Sequence, residues 1–225
     1  MKDITSGLER RAIYMNKRIK FLLSGILGEN VVLSGLMVIS PVIICGDTLK
    51  KAWALIYAFS LLTFLSVLIS SFVPAKLPYT AKVIIYAVIS SAVYIPVRLT
   101  SGVIYPESIS RIGIYFPLLA VNSLIVFQTE AKFFRMKKSD MIISLFFCIL
   151  GFDIVMLITG FLRELFAYGT INNMIVDADT LIDGLSKPFG GFVFLGLMCG
   201  AYRWLRSYFR DGNNEVRSDN GVFDQ

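Results

Sequence analysis

Two long apolar stretches constrain the fold of this chain more than any other feature. Residues 52–73 form a run of 22 residues without a charge, and residues 141–162 form a run of the same length with a single carboxylate, Asp153. An α-helix of about 20 apolar residues is long enough to cross a lipid bilayer. With 56% hydrophobic residues and a mean hydropathy of +0.68, the chain is also too apolar for a soluble domain. It is therefore predicted to be an all-α polytopic membrane protein.

Four shorter apolar runs complete a set of six predicted transmembrane segments, three in each half of the chain. These runs are residues 31–45, 83–97, 112–127 and 189–205. Residues 29–206 are accordingly interpreted as one six-helix membrane domain.

Two of the shorter runs, the first and fourth segments, are interrupted in a similar way. Residues 31–45 contain Ser40 followed by a proline, and residues 112–127 contain a proline and the polar pair Asn122-Ser123. A shift of 83 residues aligns Ser40 with Ser123. Short interrupted segments at matching positions of two halves are typical of broken helices that face each other at the bilayer midplane. The alternative is two ordinary spans that contain serine and proline by chance.

The basic residues predict the orientation. The N-terminal region, residues 132–138 and the start of the C-terminal tail are rich in Lys and Arg, and six crossings place all three on one side. That side is predicted to be the cytoplasm, which holds both termini. Three crossings per half would invert the second half relative to the first. Residues 1–28 are predicted to form a cationic amphipathic helix on the membrane surface, and residues 207–225 a polar, disordered tail.

The composition argues against several classes of function. The chain has no histidine, and Cys45, Cys148 and Cys199 are widely separated within apolar runs. Neither a metal site nor a catalytic residue is therefore predicted. The net charge of +6 comes from basic residues that flank apolar runs, as membrane topology requires. We therefore expect a lipid bilayer around the chain and no nucleic-acid partner.

Three strings in the chain resemble segments of a known family. GIYFPLLAVNSLIVFQTEAKFF, at 113–134, is similar to the fourth-helix region of the membrane subunits of Rnf and Na⁺-translocating NADH:quinone oxidoreductase (Nqr) complexes. GFLRELFAYGTI, at 160–171, resembles the family's Gly-Phe-x-Arg-Glu-Leu motif, and NVVLSGLMVISPVII, at 30–44, resembles its first short helix. The matches occur in the family's order, and a cytoplasmic N-terminus favours the RnfE/NqrD type.

The resemblance implies an integral membrane subunit of an Rnf/Nqr-type electron-transport complex, in the inner (plasma) membrane of a prokaryote. Such complexes couple electron transfer from ferredoxin or NADH to the translocation of Na⁺ or H⁺. The implied partners are other membrane subunits, especially an inverted RnfA/NqrE-type subunit. The chain has no flavin or nicotinamide motif, so any reaction would belong to the assembly. The alternative is a stand-alone membrane transporter or binding component that reuses the cavity between the two halves.

The chain departs from the family at the cofactor positions. In the family, a cysteine from each broken helix binds a [2Fe–2S] cluster that two inverted subunits share, and Ser40 and Ser123 stand at those positions here. Cluster iron binds thiolates, whereas a serine hydroxyl stays protonated near neutral pH. We therefore expect no cofactor in this chain. The alternative is a displaced cluster on Cys45, which would face another direction of the helix than Ser40.

Several polar residues in or beside the apolar runs are further candidates. Asp153 stands where the family usually has a small residue, and an ionised carboxylate inside a span costs at least a few kcal/mol. We interpret Asp153 as part of an ion or proton path. The alternatives are that it pairs with a residue of a neighbouring subunit, or that it is protonated and hydrogen-bonded. Asn122 and Glu130 are candidates for the path or for a structural role. Arg163 and Glu164 do not face each other on a helix, so each needs its own partner, and the resemblance makes them structural or interface residues.

Overall fold

The computed structural model describes residues 32–33, 35, 38–74, 76–132, 138–172, 174–175 and 182–219. Over these ranges the secondary structure is helical apart from one short hairpin. The predicted amphipathic helix at 1–28 lies outside them.

Seven α-helices follow one another along the described chain. They are α1 (Ile39–Cys45), α2 (Leu49–Ser70), α3 (Tyr79–Ile104), α4 (Pro106–Ile112), α5 (Ser123–Lys132), α6 (Lys138–Tyr168) and α7 (Pro188–Asp219). Short 3-10 helices lie at Gly113–Tyr115, Pro117–Val121 and Asp183–Ser186. Between α6 and α7 the strands β1 (Thr170–Ile171) and β2 (Met174–Ile175) form an antiparallel hairpin.

Three helices of the described ranges, α2, α3 and α6, are each long and apolar enough to cross a membrane. The bent pair Pro106–Tyr115 and Pro117–Phe127 makes a fourth if it is counted as one span. The predicted all-α polytopic membrane fold is thereby confirmed. The seven-residue α1 is too short to cross a membrane by itself. The apolar part of α7 contains several glycines and Arg203, which lower its hydropathy. The count of six crossings stays a prediction.

The fourth segment is broken, as predicted, and its backbone gives the cause. α4 ends at Ile112, and the next residue, Gly113, has a φ of 54°, in the left-handed region that favours glycine. Pro117 then supplies no backbone amide to a helix. Asn122, with φ −92° and ψ 139°, is extended immediately before α5. As a result, the two helical parts of the segment meet at 58°.

The first segment has a corresponding turn before its short helix. Val38 is left-handed, with φ 57° and ψ 33°, which is unfavourable for a β-branched residue. α1 then begins at Ile39, while α5 begins at Ser123. The two short helices therefore start within one residue of each other under the shift of 83 residues. This placement agrees with the predicted pair of broken helices.

The central helix of the bundle is α2, which packs against α3, α4, α5 and α6. Phe59 of α2 is fully buried and stacks on Phe152 of α6, with ring centroids 3.9 Å apart. Gly160 allows the two helices to approach closely, because a Cβ atom there would lie 2.8 Å from the Cβ of Ala52. Polar side chains on the buried faces of α2 are therefore held inside the protein, away from lipid.

The C-terminal region differs from the prediction of a disordered tail. α7 continues through residue 207 and ends at Asp219, with residues 220–225 outside the description. The stretch contains no proline to block the helix, although Gly212, Asn213 and Asn214 have poor helix propensity. Extending an existing helix avoids the cost of nucleation. Polarity alone therefore does not end this helix.

Candidate functional site

Asp153 lies at the middle of the bundle, in contact with α2. It is fifteen residues from either end of α6, and Ser60 is at the middle of α2. The Ser60 hydroxyl lies 2.9 Å from one carboxylate oxygen of Asp153 and 3.0 Å from the other, and it donates to the carboxylate. Neither of the ion pairs found among the described side chains involves Asp153. The half-buried carboxylate thus has a neutral donor and retains acceptor capacity for a proton or a small cation.

The break before α5 is held by side chains of α2 and α3. The Asn122 side-chain oxygen accepts the amide of Ile125 at 3.1 Å, which caps α5. The amide nitrogen of Asn122 lies 3.4 Å from the hydroxyl of Thr63 on α2. Ser90 of α3 donates to the carbonyl of Ala120 at 2.5 Å. Non-helical backbone at membrane depth requires such partners, so Asn122 has a structural role here.

Ser40 and Ser123, which the resemblance aligns with the family's cluster cysteines, lie at the starts of the two short helices. Ser40 is exposed on α1, whereas Cys45 at the end of α1 is buried, so the two side chains have different surroundings. Ser123 is the first residue of α5, and its side chain is not described. No group of three Cys, His, Asp or Glu side chains able to hold a metal ion occurs in the described part of the chain. Hydroxyls in place of thiolates do not fit an iron–sulfur cluster.

Glu130 forms a polar contact between α5 and the start of α3. One carboxylate oxygen accepts the hydroxyl of Tyr86 at 2.7 Å, and the other pairs with the ammonium of Lys82 at 3.3 Å. The Lys82 side chain is 9% exposed and that of Glu130 is 21% exposed. The contact is therefore largely shielded from solvent and ties the two helices together.

Arg163, near the end of α6, joins three backbone segments. It is 1% exposed, and its guanidinium donates to the carbonyl of Ile43 at 2.6 Å. It also donates to the carbonyl of Leu185 at 3.0 and 3.1 Å and to that of Lys187 at 3.4 Å. Since Ile43 lies in the last turn of α1, Arg163 satisfies a carbonyl that the helix itself leaves free. Its planar fork suits this set of acceptors better than a lysine ammonium would.

Glu164 has a separate set of partners, as its position next to Arg163 requires. One carboxylate oxygen accepts the amide of Leu49, the first residue of α2, at 2.6 Å. The other accepts the hydroxyl of Thr170 in β1 at 3.3 Å. A carboxylate is favourable at a helix N-terminus, where backbone amides lack intrahelical partners. Glu164 therefore fixes the start of α2 against the end of α6.

The charged contacts connect the two halves of the chain crosswise. Lys82 belongs to the first half and pairs with Glu130 near the C-terminal end of α5. Arg163 belongs to the second half and binds Ile43 near the C-terminal end of α1. A cation favours the C-terminal end of a helix electrostatically. Each short helix is thus held near that end by a cation from the other half.

Six side chains in these contacts were not predicted from the sequence. They are Ser60, Thr63, Lys82, Tyr86, Ser90 and Thr170. A signal for the first two was present, because polar residues recur along α2 at spacings of three or four. Residues at such spacings lie on one face of a helix.

Comparisons with known proteins agree with this architecture. Residues 18–207 match the model of the family described as Rnf-Nqr subunit, membrane protein. The chain is 25% identical over 205 residues to the NqrD subunit of the Na⁺-translocating NADH-quinone reductase of Pseudoalteromonas translucida, a match that covers 87% of this chain and 95% of the relative. It is 26% identical over 197 residues to the RnfE subunit of the ion-translocating oxidoreductase complex of Salmonella paratyphi B and of Salmonella heidelberg, which covers 79% of this chain and 84% of each relative. This chain belongs to the Rnf-Nqr family of membrane subunits.

Proposed function

We propose that the chain is a membrane subunit of an ion-translocating oxidoreductase complex of the Rnf/Nqr type. The observation that carries this proposal is the family match over residues 18–207, which includes both halves of the membrane domain. The relatives are named as subunits of an NADH-quinone reductase and of an oxidoreductase complex, both of which translocate ions. The chain itself supplies no catalytic residue in this proposal. Its contribution is a rigid, broken-helix scaffold within the membrane.

The geometry of the Arg-Glu motif supports the scaffold role. Arg163 and Glu164, which resemble the family's Arg-Glu pair, hold the end of α1 and the start of α2. Both side chains are at least 98% buried, and both are engaged in several hydrogen bonds. They are therefore occupied in fixing the first broken helix and are not available for catalysis.

We further propose that this subunit is divergent and lacks the family's intramembrane cluster. Ser40 and Ser123 take the places of the family's cysteines, and neither hydroxyl offers a thiolate. Cys45 is 2% exposed and belongs to the buried hydrophobic core cluster. Under this proposal, the chain itself takes no part in electron transfer, because it holds no cluster.

The partner that we propose is a second membrane subunit of inverted RnfA/NqrE type. Support comes from two outward-facing apolar surfaces that α3 and α7 present. The exposed residues on these surfaces are Ile84, Val88, Ile95 and Leu99 of α3 and Phe192, Val193 and Leu197 of α7. Gly196 of α7 has open space where a Cβ would stand, so another helix can approach closely there. Both surfaces suit lipid or neighbouring transmembrane helices.

The test of the function is purification of the tagged full-length chain from its native membranes under mild detergent conditions. We expect it to copurify in fixed stoichiometry with flavin-bearing subunits and with an activity that oxidises NADH or reduced ferredoxin. Elution as a homodimer that binds a small solute would contradict the proposal. That result would instead favour the stand-alone transporter, for which the mid-membrane contact of Asp153 with Ser60 supplies a polar site.

The test of the missing cluster is the iron and acid-labile sulfide content of the same preparation. Other subunits contribute iron, so the comparison is between Cys45→Ala and the matched variant Cys148→Ala, which also removes a buried thiol. We expect the two variants to retain equal iron and sulfide. A loss of iron confined to Cys45→Ala would show that a displaced cluster exists.

A further inference from the structure

The inner side of α2 carries a line of hydroxyl groups that neither the helix packing nor the family match explains. The hydroxyl residues are Ser60, Thr63, Ser66 and Ser70. Thr63, Ser66 and Ser70 follow at spacings of three and four, so they share one face of the helix, and Ser60 is one turn away from Thr63. We call this set the hydroxyl line.

Two members of the hydroxyl line are buried without a hydrogen-bond partner. Ser66 is 0% exposed and Ser70 is 1% exposed. Among the residues that the structure describes, no donor or acceptor is found for either hydroxyl. A buried hydroxyl without a partner is destabilising, because it loses its hydrogen bonds to water and gains none in the protein. Buried polar groups of this kind are normally satisfied by water or by an ion.

The other two members are already engaged with the candidate functional residues. Ser60 donates to Asp153, and Thr63 lies 3.4 Å from the side chain of Asn122. The hydroxyl line therefore begins at the one carboxylate in the middle of α6. It continues along α2 through Ser66 and ends at Ser70, the last residue of that helix.

The length of the line matches half of a membrane. Ser60 and Ser70 are ten residues apart, which corresponds to about 15 Å along a helix axis. The hydrocarbon core of a bilayer is about 30 Å thick. Because Ser60 lies at the middle of α2, the line extends from the centre of the bundle to one end.

The charged contact of α3 with α5 lies at the same end of the bundle as Ser70. α2 and α3 are joined by residues 71–78 and pack as an antiparallel pair, so the end of α2 and the start of α3 lie at one level. Lys82 and Tyr86 lie near the start of α3, where both contact Glu130. The charged pair of Lys82 and Glu130 thus lies at one end of the line, and the half-buried carboxylate of Asp153 lies at the other.

We propose that the hydroxyl line is one wall of a hydrated half-channel that leads a small monovalent cation, Na⁺ or H⁺, from this end of the bundle to Asp153. Hydroxyl and carboxylate oxygens are hard donors that suit such ions. The charged side chains along the route are Lys82 and Glu130, which neutralise each other at the entrance, and Asp153, whose negative charge attracts cations at the inner end. The proposal deepens the proposed function, since it assigns the chain a part in ion movement.

The experiment is thiol labelling of single cysteine variants of the full-length chain in membrane vesicles. Ser66→Cys and Ser70→Cys test the line, and Val67→Cys is the matched control because Val67 is equally buried on the same helix. Unsubstituted chain gives the background from Cys45, Cys148 and Cys199. The probes are two membrane-impermeant methanethiosulfonates, one with a trimethylammonium group and one with a sulfonate. They are applied to inside-out and right-side-out vesicles, and labelling is located by peptide mass spectrometry.

We expect Ser66→Cys and Ser70→Cys to react at least tenfold faster than Val67→Cys, from one side only, and faster with the cationic probe than with the anionic one. Labelling of both variants at the rate of Val67→Cys would overturn the half-channel, because the hydroxyls would then lie in dry packing. Equal rates with the two probes would overturn the preference for cations. The outcome is independent of copurification with redox subunits, so failure here and failure of the proposed function can be told apart.

Discussion

Arg163 illustrates how one buried side chain holds the first broken helix in place. Its guanidinium donates to the carbonyl oxygen of Ile43 in α1 and to those of Leu185 and Lys187 in the turn before α7. Arg163→Lys would keep the charge but leave at least one carbonyl unpaired, at a cost of about 1–3 kcal/mol for each unpaired group. We expect a lower midpoint of thermal unfolding in detergent, measured by scanning fluorimetry. Arg203→Lys, at an exposed position of α7, is the control and should leave the midpoint unchanged.

Asp153 allows a test of ion movement that separates charge from packing. Asparagine has nearly the same shape and its side-chain oxygen can still accept the Ser60 hydroxyl, so Asp153→Asn should fold normally. We expect the rate of redox-driven Na⁺ or H⁺ uptake into vesicles that contain the complex to fall at least tenfold. Asp140→Asn, in the first turn of the same helix, is the control. Unchanged uptake by a folded Asp153→Asn variant would remove this carboxylate from the path.

At the scale of the helices, the close contact of α2 with α6 depends on a glycine. A Cβ at position 160 would lie 2.8 Å from the Cβ of Ala52, so Gly160→Ala should overpack the contact by about 1–3 kcal/mol. Gly196→Ala is the matched control, because its Cβ would meet no atom within 4 Å. We expect only the first variant to lower the unfolding midpoint. If Gly160→Ala is destabilising for this reason, Ala52→Gly in the same chain should restore part of the loss.

The helices could be predicted from the sequence to different degrees. The apolar runs that became α2 and α6 were evident from length and charge, and Pro117 and Asn122 indicated the break before α5. The two 3-10 helices within the fourth segment follow from tertiary contacts, such as that of Ser90 with Ala120, which no local pattern reveals. The continuation of α7 to Asp219 was missed because the prediction of a tail relied on polarity alone.

The candidate site was less predictable than the fold, for a physical reason. Asp153 and Arg163 stand out in the sequence because charges are costly in a membrane. Two of their partners, the hydroxyl of Ser60 and the carbonyl of Ile43, lie more than 90 residues away in the chain. Ser and Thr are common in transmembrane helices, where they can bond to their own backbone, so hydroxyl residues carry little signal until the helices are packed together.

At the scale of the whole molecule, the crosswise contacts of Lys82 with Glu130 and of Arg163 with Ile43 place the two halves in reciprocal roles. Each half supplies a short helix and a cation for the other half's short helix. In each of these two contacts, one residue comes from the first half and the other from the second. This arrangement favours folding of the two halves as one unit, and it is the relation expected if the second half is an inverted copy of the first.

That relation requires the two contacts to lie on opposite sides of the membrane, which reporter fusions can test. α6 is long enough to cross the membrane once. It connects residues 132–138, which follow Glu130, to the hairpin that follows Arg163. The excess of Lys and Arg at 132–138 predicts that this loop lies in the cytoplasm. We therefore expect fluorescent protein inserted at 135 or fused after residue 225 to be bright, and alkaline phosphatase inserted at 178 to be active. Phosphatase activity at both 135 and 178 would mean that α6 does not separate the two sides, and the inverted arrangement of the halves would then be wrong.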